Sequence, residues 1–275
     1  MSNSDSPNKR TFVLISIATI SIAALLTAIN YLGLVNIHAV PLAVVRWLAV
    51  GSLFAYAVVR RSLTTWILVA MVAGAEFGHD FPAIAVHARV LSQIFLRLIK
   101  TIIAPLIFAT LVVGIAGHSS LKQVGRMGIK ALIYFEVVTT VALFIGLAAI
   151  NISKAGVGIT LPPGAHTEQL TATKQTATDV ILHVFPENLA KSVAEGQVLQ
   201  VVVFSIIFGI ALALLRDEKR KPMLTFCESL SEVMFKFTNI VMFFAPIGVG
   251  AAIAYTVGHM GLGILRNLFA LLATV

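Results

Sequence analysis

Apolar runs of membrane length alternate with short polar breaks along the chain. Residues 11–35 form the first run, and a turn-like stretch at 36–41 leads into 42–59. Residues 63–78 end in the break GHDFP, and 92–117 and 129–152 follow. A polar, Thr- and Gly-rich stretch with Pro162 and Pro163 covers 153–178. Residues 180–215 are apolar but interrupted by PENLAKSVAEGQ, and 223–257 are long and amphipathic at the start. A turn at 258–263 precedes an apolar run at 264–275, which is too short to cross a bilayer unaided, since about 20 residues are needed. Alternation with a period of two is absent, and an open strand in lipid leaves its backbone groups unpaired. The pattern predicts an all-α polytopic membrane protein.

Composition supports this. Of 275 residues, 58% are hydrophobic and 12% charged, with a mean hydropathy of +0.95. That much apolar surface has no place under a polar shell. The net charge of +8 is spread over breaks between runs, which is a topology signal and not a nucleic-acid stripe. Lys9/Arg10, Arg60/Arg61, Lys122/Arg126/Lys130 and Arg216/Lys219/Arg220/Lys221 fall on alternate connections. The opposite ones carry chiefly Arg89, Lys154 and Lys174. The bias predicts a cytoplasmic N-terminus in the cell (inner) membrane. Residues 11–35 exceed the about 7–15 residues of a signal-peptide core, so the first run is expected to be retained. The one cysteine, Cys227, excludes an intrachain disulfide and a cysteine metal cage.

No enzyme motif is present: there is no phosphate loop, no His-Glu-x-x-His and no nucleophile elbow. Gly125 and Gly128 are expected in a cytoplasmic turn, and Glu232 and Lys236 as a surface i,i+4 pair. The informative residues are ionisable groups inside apolar runs, which are costly unless paired or wet. Arg97 and Lys100 share a helix face; they either snorkel to the interface or line a watery path for an anionic solute. Glu136, Thr139 and Thr140 lie within one turn of each other. Their oxygens either bond back to the helix or serve a hard cation. Glu76 is expected near a wet helix end. Pro105 in IIAPLIF and Pro246 in FFAPIGV occupy similar places, in the second and fifth runs after residue 62. That is the spacing of two inverted three-helix units.

Four stretches in order, FLRLIKTIIAPLIFATLVVGIAG, VGRMGIKALIYFEVVTTVALFIGL, GQVLQVVVFSIIFGIAL and KFTNIVMFFAPIGVGAAIAY, resemble the dicarboxylate/amino acid:cation symporter family. The resemblance begins at Leu63. It divides the chain into an N-terminal extension, 1–62, with two predicted spans, and a symporter part, 63–275. It implies a homotrimeric elevator with an inverted-repeat fold. Residues 63–78, 92–117, 180–215 and 223–257 would be static scaffold helices, and 129–152 part of the moving unit. It places Tyr134, Thr139 and Thr140 near a coupling-cation site, for Na+ or H+, and implies no other cofactor. The implied function is cation-coupled symport of dicarboxylates or acidic amino acids. Residues matching the family's substrate-binding hairpins, its NMDGT-type broken helix and its last helix are missing, because Val275 falls early in the family's sixth helix. The expectation is therefore an incomplete chain, inactive alone, with no substrate-binding residues of its own. The alternative is a transport-dead, trimerising scaffold that modulates a full-length relative.

Overall fold

The computed structural model describes residues 18–27, 29–30, 39–118, 120–154 and 176–274. Among them every regular element is helical. In chain order these are α1 (Ala18–Thr27), α2 (Ala39–Arg60), α3 (Leu63–Asp80), α4 (Pro82–Ala85), a 3-10 turn (Val86–Ala88), α5 (Arg89–Ala116) and α6 (Leu121–Ser153). Then come α7 (Ala177–Val184), α8 (Leu189–Ala194), α9 (Val198–Ala213), α10 (Asp217–Met242), α11 (Ala245–Met260) and α12 (Gly263–Thr274). Helices α2, α5 and α6 are each long and apolar enough to cross a bilayer, and α10 with α11 can serve as one broken span. The chain is a multi-pass membrane protein. Much of the predicted outer stretch, including Lys174, and the cations Lys9 and Arg10 lie outside the described residues.

The chain forms two compact units. The first comprises residues 1–96 and 243–266. At its centre α3 crosses α11 at backbone contact. Ala70, Gly74 and Gly78 on α3 face Gly250, Ala254 and Gly258 on α11. Both sets recur every four residues, the small-xxx-small pattern by which membrane helices approach closely. A Cβ on Gly74 would overlap the Gly250 carbonyl oxygen, and one on Gly78 would sit 2.5 Å from Ala254 O. Gly248 seats the Phe95 ring, which would lie 2.5 Å from a Cβ there. Ala85 is fully buried beneath Gly258. Arg89 lies over the Tyr255 ring at 5.4 Å, a cation–π contact that gives this cation a partner.

The second unit comprises residues 97–242 and 267–275. Its core joins α5, α9 and α10 through Val112, Ala116, Leu212 and Cys227, flanked by Phe108, Phe208 and Leu224. Phe108 stacks on Phe204 at 6.1 Å and meets the Phe208 ring at a tilt, 5.3 Å away. Gly209 admits Ile115, whose Cβ would lie 3.1 Å from an added methyl.

Several expectations need correction. Gly125 and Gly128 lie inside α6, which starts two turns earlier than the apolar run: Ser120 caps it by accepting the Gln123 N–H. The polar first turns are helical because a basic N-terminal extension of a span sits in headgroups, not lipid. Residues 223–257 are not one helix. The chain breaks at Phe243–Phe244, where Pro246 opens α11 and cannot donate into a helix arriving from α10. Pro105, by contrast, sits within a continuous α5, so the two Ala-Pro sites differ in structure. Glu232 and Lys236 form no ion pair within 4.0 Å among the described residues. Glu76 is paired rather than merely hydrated.

Candidate functional site

The residues singled out on α6 project from a helix whose middle is exposed among the described residues. Every residue from 125 to 148 is exposed. Glu136, Thr139 and Thr140 lie on adjoining faces, three and four residues apart. Tyr134 is five residues from Thr139, about 140° around the helix axis at 3.6 residues per turn. It therefore points to another side, its ring 5.7 Å from that of Phe135. The three resemblance-implied cation residues do not converge on one point of α6.

The hydroxyls of Thr139 and Thr140 differ from those of several other helical threonines. Thr101, Thr110, Thr238 and Thr256 each donate to the carbonyl four residues earlier, at 2.7–3.0 Å. Neither Thr139 nor Thr140 makes such a bond among the described residues. Back-bonding, the ordinary fate of a helical threonine, is not theirs. Their oxygens and the Glu136 carboxylate are available as hard ligands. A hard cation takes about six, so α6 alone supplies only part of a shell. Among the described residues no three His, Cys, Asp or Glu side chains cluster as a metal site.

Arg97 and Lys100 both lie on the exposed side of α5, and the structure separates their roles. Lys100 and Thr101 line a cavity of about 430 Å3 whose far wall is the α8–α9 turn, with Ser192, Glu195 and Gly196. Arg97 is not part of that lining. The turn is rigidly built. Asn188 caps α8 by accepting the Ala190 N–H at 2.8 Å. Gly196 takes φ +70, a left-handed conformation that glycine adopts without strain. The Ser192 hydroxyl, 2% exposed, lies 2.6 Å from Gln200 Oε1. Gln200 Nε2 donates to His183 O at 3.0 Å, tying α7 to α9 across the interruption. The PENLAKSVAEGQ interruption is therefore an ordered, polar wall beside Lys100.

A larger cavity, about 1080 Å3, lies in the first unit among α1, α2 and the end of α3. None of the residues expected from sequence lines it. It contains a cation that sequence reasoning passed over, Arg46, inside the apolar run 42–59. Arg46 Nη2 meets Asp80 Oδ1 at 2.6 Å and its Nε lies 3.1 Å from Glu76 Oε2. The signal was available: one cation in one run, and two carboxylates one turn apart in the next.

The profile of the sodium:dicarboxylate symporter family matches residues 63–275. The chain belongs to this family. Among curated relatives it is 42% identical over 219 residues to the C4-dicarboxylate transport protein of Anaeromyxobacter sp. (strain K), covering 78% of this chain and 50% of the relative. It is 38% identical over 222 residues to that of Paraburkholderia phymatum, covering 78% and 52%. The protein of that name from Acinetobacter baylyi is 40% identical over 230 residues, covering 76% and 51%. The chain thus spans about half the length of the curated relatives it matches. Its family and these relatives are transporters, not enzymes.

Proposed function

We propose that residues 63–275 form the first part of a cation-coupled carrier of C4-dicarboxylates, preceded by a separate two-span extension, 1–62. The observation that carries this reading is the match to C4-dicarboxylate transport proteins at 38–42% identity. The family's name favours Na+ as the coupling ion over H+. In this reading Thr139 and Thr140 supply cation-facing oxygens, with Tyr134 nearby. Lys100 raises the local concentration of a dianion at the rim, and Arg97 adds to the field from the exposed helix face. The carrier sits in the inner membrane with a cytoplasmic N-terminus, and trimerises through scaffold helices such as α5.

These 275 residues alone are not expected to transport. A dianion crossing about 30 Å of hydrocarbon needs fixed dipoles and paired charges in place of water. Helix N-termini at broken spans are the usual source. Among the described residues nothing covers the Thr139/Thr140 face to complete such a site.

The test is uptake of labelled succinate into proteoliposomes under a Na+ or a proton gradient. The 275-residue chain should give none. A fusion that adds the second half of the Anaeromyxobacter relative, shown monodisperse, should give gradient-dependent uptake. Thr139→Val in that fusion should weaken its cation dependence. Uptake by the 275-residue chain alone, or a folded fusion that moves no dicarboxylate, would overturn the reading.

A further inference from the structure

We propose that Arg46 is the intramembrane counter-ion of Glu76 and Asp80, and that it locks the extension helix α2 onto α3 as one hairpin. The family match starts at residue 63, so the cation lies outside the matched part and both carboxylates lie within it. Glu76 and Asp80 are four residues apart and share one face of α3. Within the matched part no described cation lies within ion-pair distance of either. Carboxylates left there would be costly in lipid.

Arg46 suits both at once. Its Nη2 donates to Asp80 Oδ1, while its Nε lies at ion-pair distance, 3.1 Å, from Glu76 Oε2 without hydrogen-bond alignment. The neighbouring Trp47 donates its indole N–H to the second Asp80 oxygen at 2.9 Å. The side chains of Arg46, Glu76 and Asp80 are 15%, 24% and 15% exposed. The pairing is antiparallel along its length. At the other end of the hairpin Phe54 meets Trp66 edge-on, with ring centroids 4.9 Å apart. The link between the helices is short, with Arg61 at φ 51 turning the chain.

Two rivals fit less well. A cleavable leader would not carry the counter-ion of the next helix. An anion-binding role for Arg46 in the adjoining cavity is opposed by two carboxylates that already hold it. The extension is therefore a built-in partner for the first helix of the symporter part.

The test compares four full-length proteins in nanodiscs: the parent, Arg46→Leu, Glu76→Gln/Asp80→Asn, and the triple variant. All are made in a Cys227→Ala background, with a second set carrying Phe54→Cys/Trp66→Cys for bis-maleimide crosslinking. Arg46→Leu should lower the thermal midpoint by about 5–10 °C and reduce the 54–66 crosslink several-fold. The triple variant should recover most of both, because no charge is then left unpaired. If Arg46→Leu fails to accumulate, recovery of the triple variant still supports the lock. An unchanged Arg46→Leu overturns it. So does a triple variant as damaged as Arg46→Leu, since that would make the effect one of packing and not of charge.

Discussion

Helices α3 and α6 are both apolar, yet they meet their surroundings in opposite ways. α3 is a row of small residues pressed to backbone distance against α11, with polar groups at its end satisfied by α2. α6 is lined all round with large side chains: Leu132, Phe135, Leu143 and Phe144 are each more than half exposed, as is Tyr134 at 64%. Without a hydrophobic driving force between helices in lipid, association depends on close packing and polar contacts. α3 has both. α6 has glycines at 125, 128 and 146, but nothing lies within 4 Å of a Cβ placed on any of them. The difference separates an interface formed among the described residues from a helix that forms none there.

Substitutions that enlarge small residues should divide along the same line. Gly74→Val drives a side chain into the Gly250 carbonyl, which is backbone and cannot step aside. It is expected to cost about 3 kcal/mol or more, measured by SDS-titration unfolding in mixed micelles. A loss under about 0.5 kcal/mol would mean that the α3–α11 contact is looser than described. Gly209→Ala meets only the Ile115 side chain, which has room to adjust, so a smaller cost of about 1 kcal/mol is expected in the same titration. Gly146→Ala on α6 meets nothing and should be neutral, or stabilise by up to about 1 kcal/mol through helix propensity. A large destabilisation there would place a partner against α6 within these residues.

Smaller effects sharpen the picture of the polar segments. Thr139→Val removes a hydroxyl without a helix bond, so it should leave stability within about 0.5 kcal/mol. Thr110→Val, which breaks a 2.7 Å bond, tests the contrast. The smallest effect is at the start of α7. Thr176 donates its hydroxyl and backbone N–H to Asp179, at 2.6 and 3.0 Å, and this lowers the carboxyl pKa. A depressed folded-state pKa means that the cap contributes fully above the unfolded value of about 3.9 and fades as pH falls through the lower folded one. Amide exchange across α7, as a ratio to Asp179→Asn, should therefore be flat from pH 7 to 5. The ratio should converge on one only in stronger acid.

What was legible in sequence follows the physics of each signal. Apolar runs report lipid directly, so the runs 42–59, 63–78 and 92–117 emerged close to α2, α3 and α5. The PENLAKSVAEGQ break was visible because Pro186, Asn188 and Gly196 carry local backbone preferences. The four family stretches carried the family itself. The α3–α11 ladder was not visible, because a row of small residues has meaning only when its partner row is known. Arg46 was passed over for the same reason: its role lies in another helix. The turn expected at Gly125 and Gly128 failed because glycine is only a weak helix breaker, while the Ser120 cap sets the start of α6. The Thr139/Thr140 face is exposed, and its cation role is a proposal. Its ligand geometry was not readable, because most of such a shell comes from other segments.

The central contrast can be measured with spin labels in nanodiscs, in a Cys227→Ala background. Labels are placed singly at Ile133, Phe135, Val137, Val141 and Phe144 around α6, with Ala252 on α11 as a reference. In the 275-residue protein the α6 labels should be uniformly mobile, with no helical periodicity, while Ala252 is restricted. Fusion to the second half of the Anaeromyxobacter relative should immobilise the α6 face that carries Thr139 and Thr140. A face of α6 already immobilised in the 275-residue protein would contradict the account, because the helix would then have found its partner without further protein.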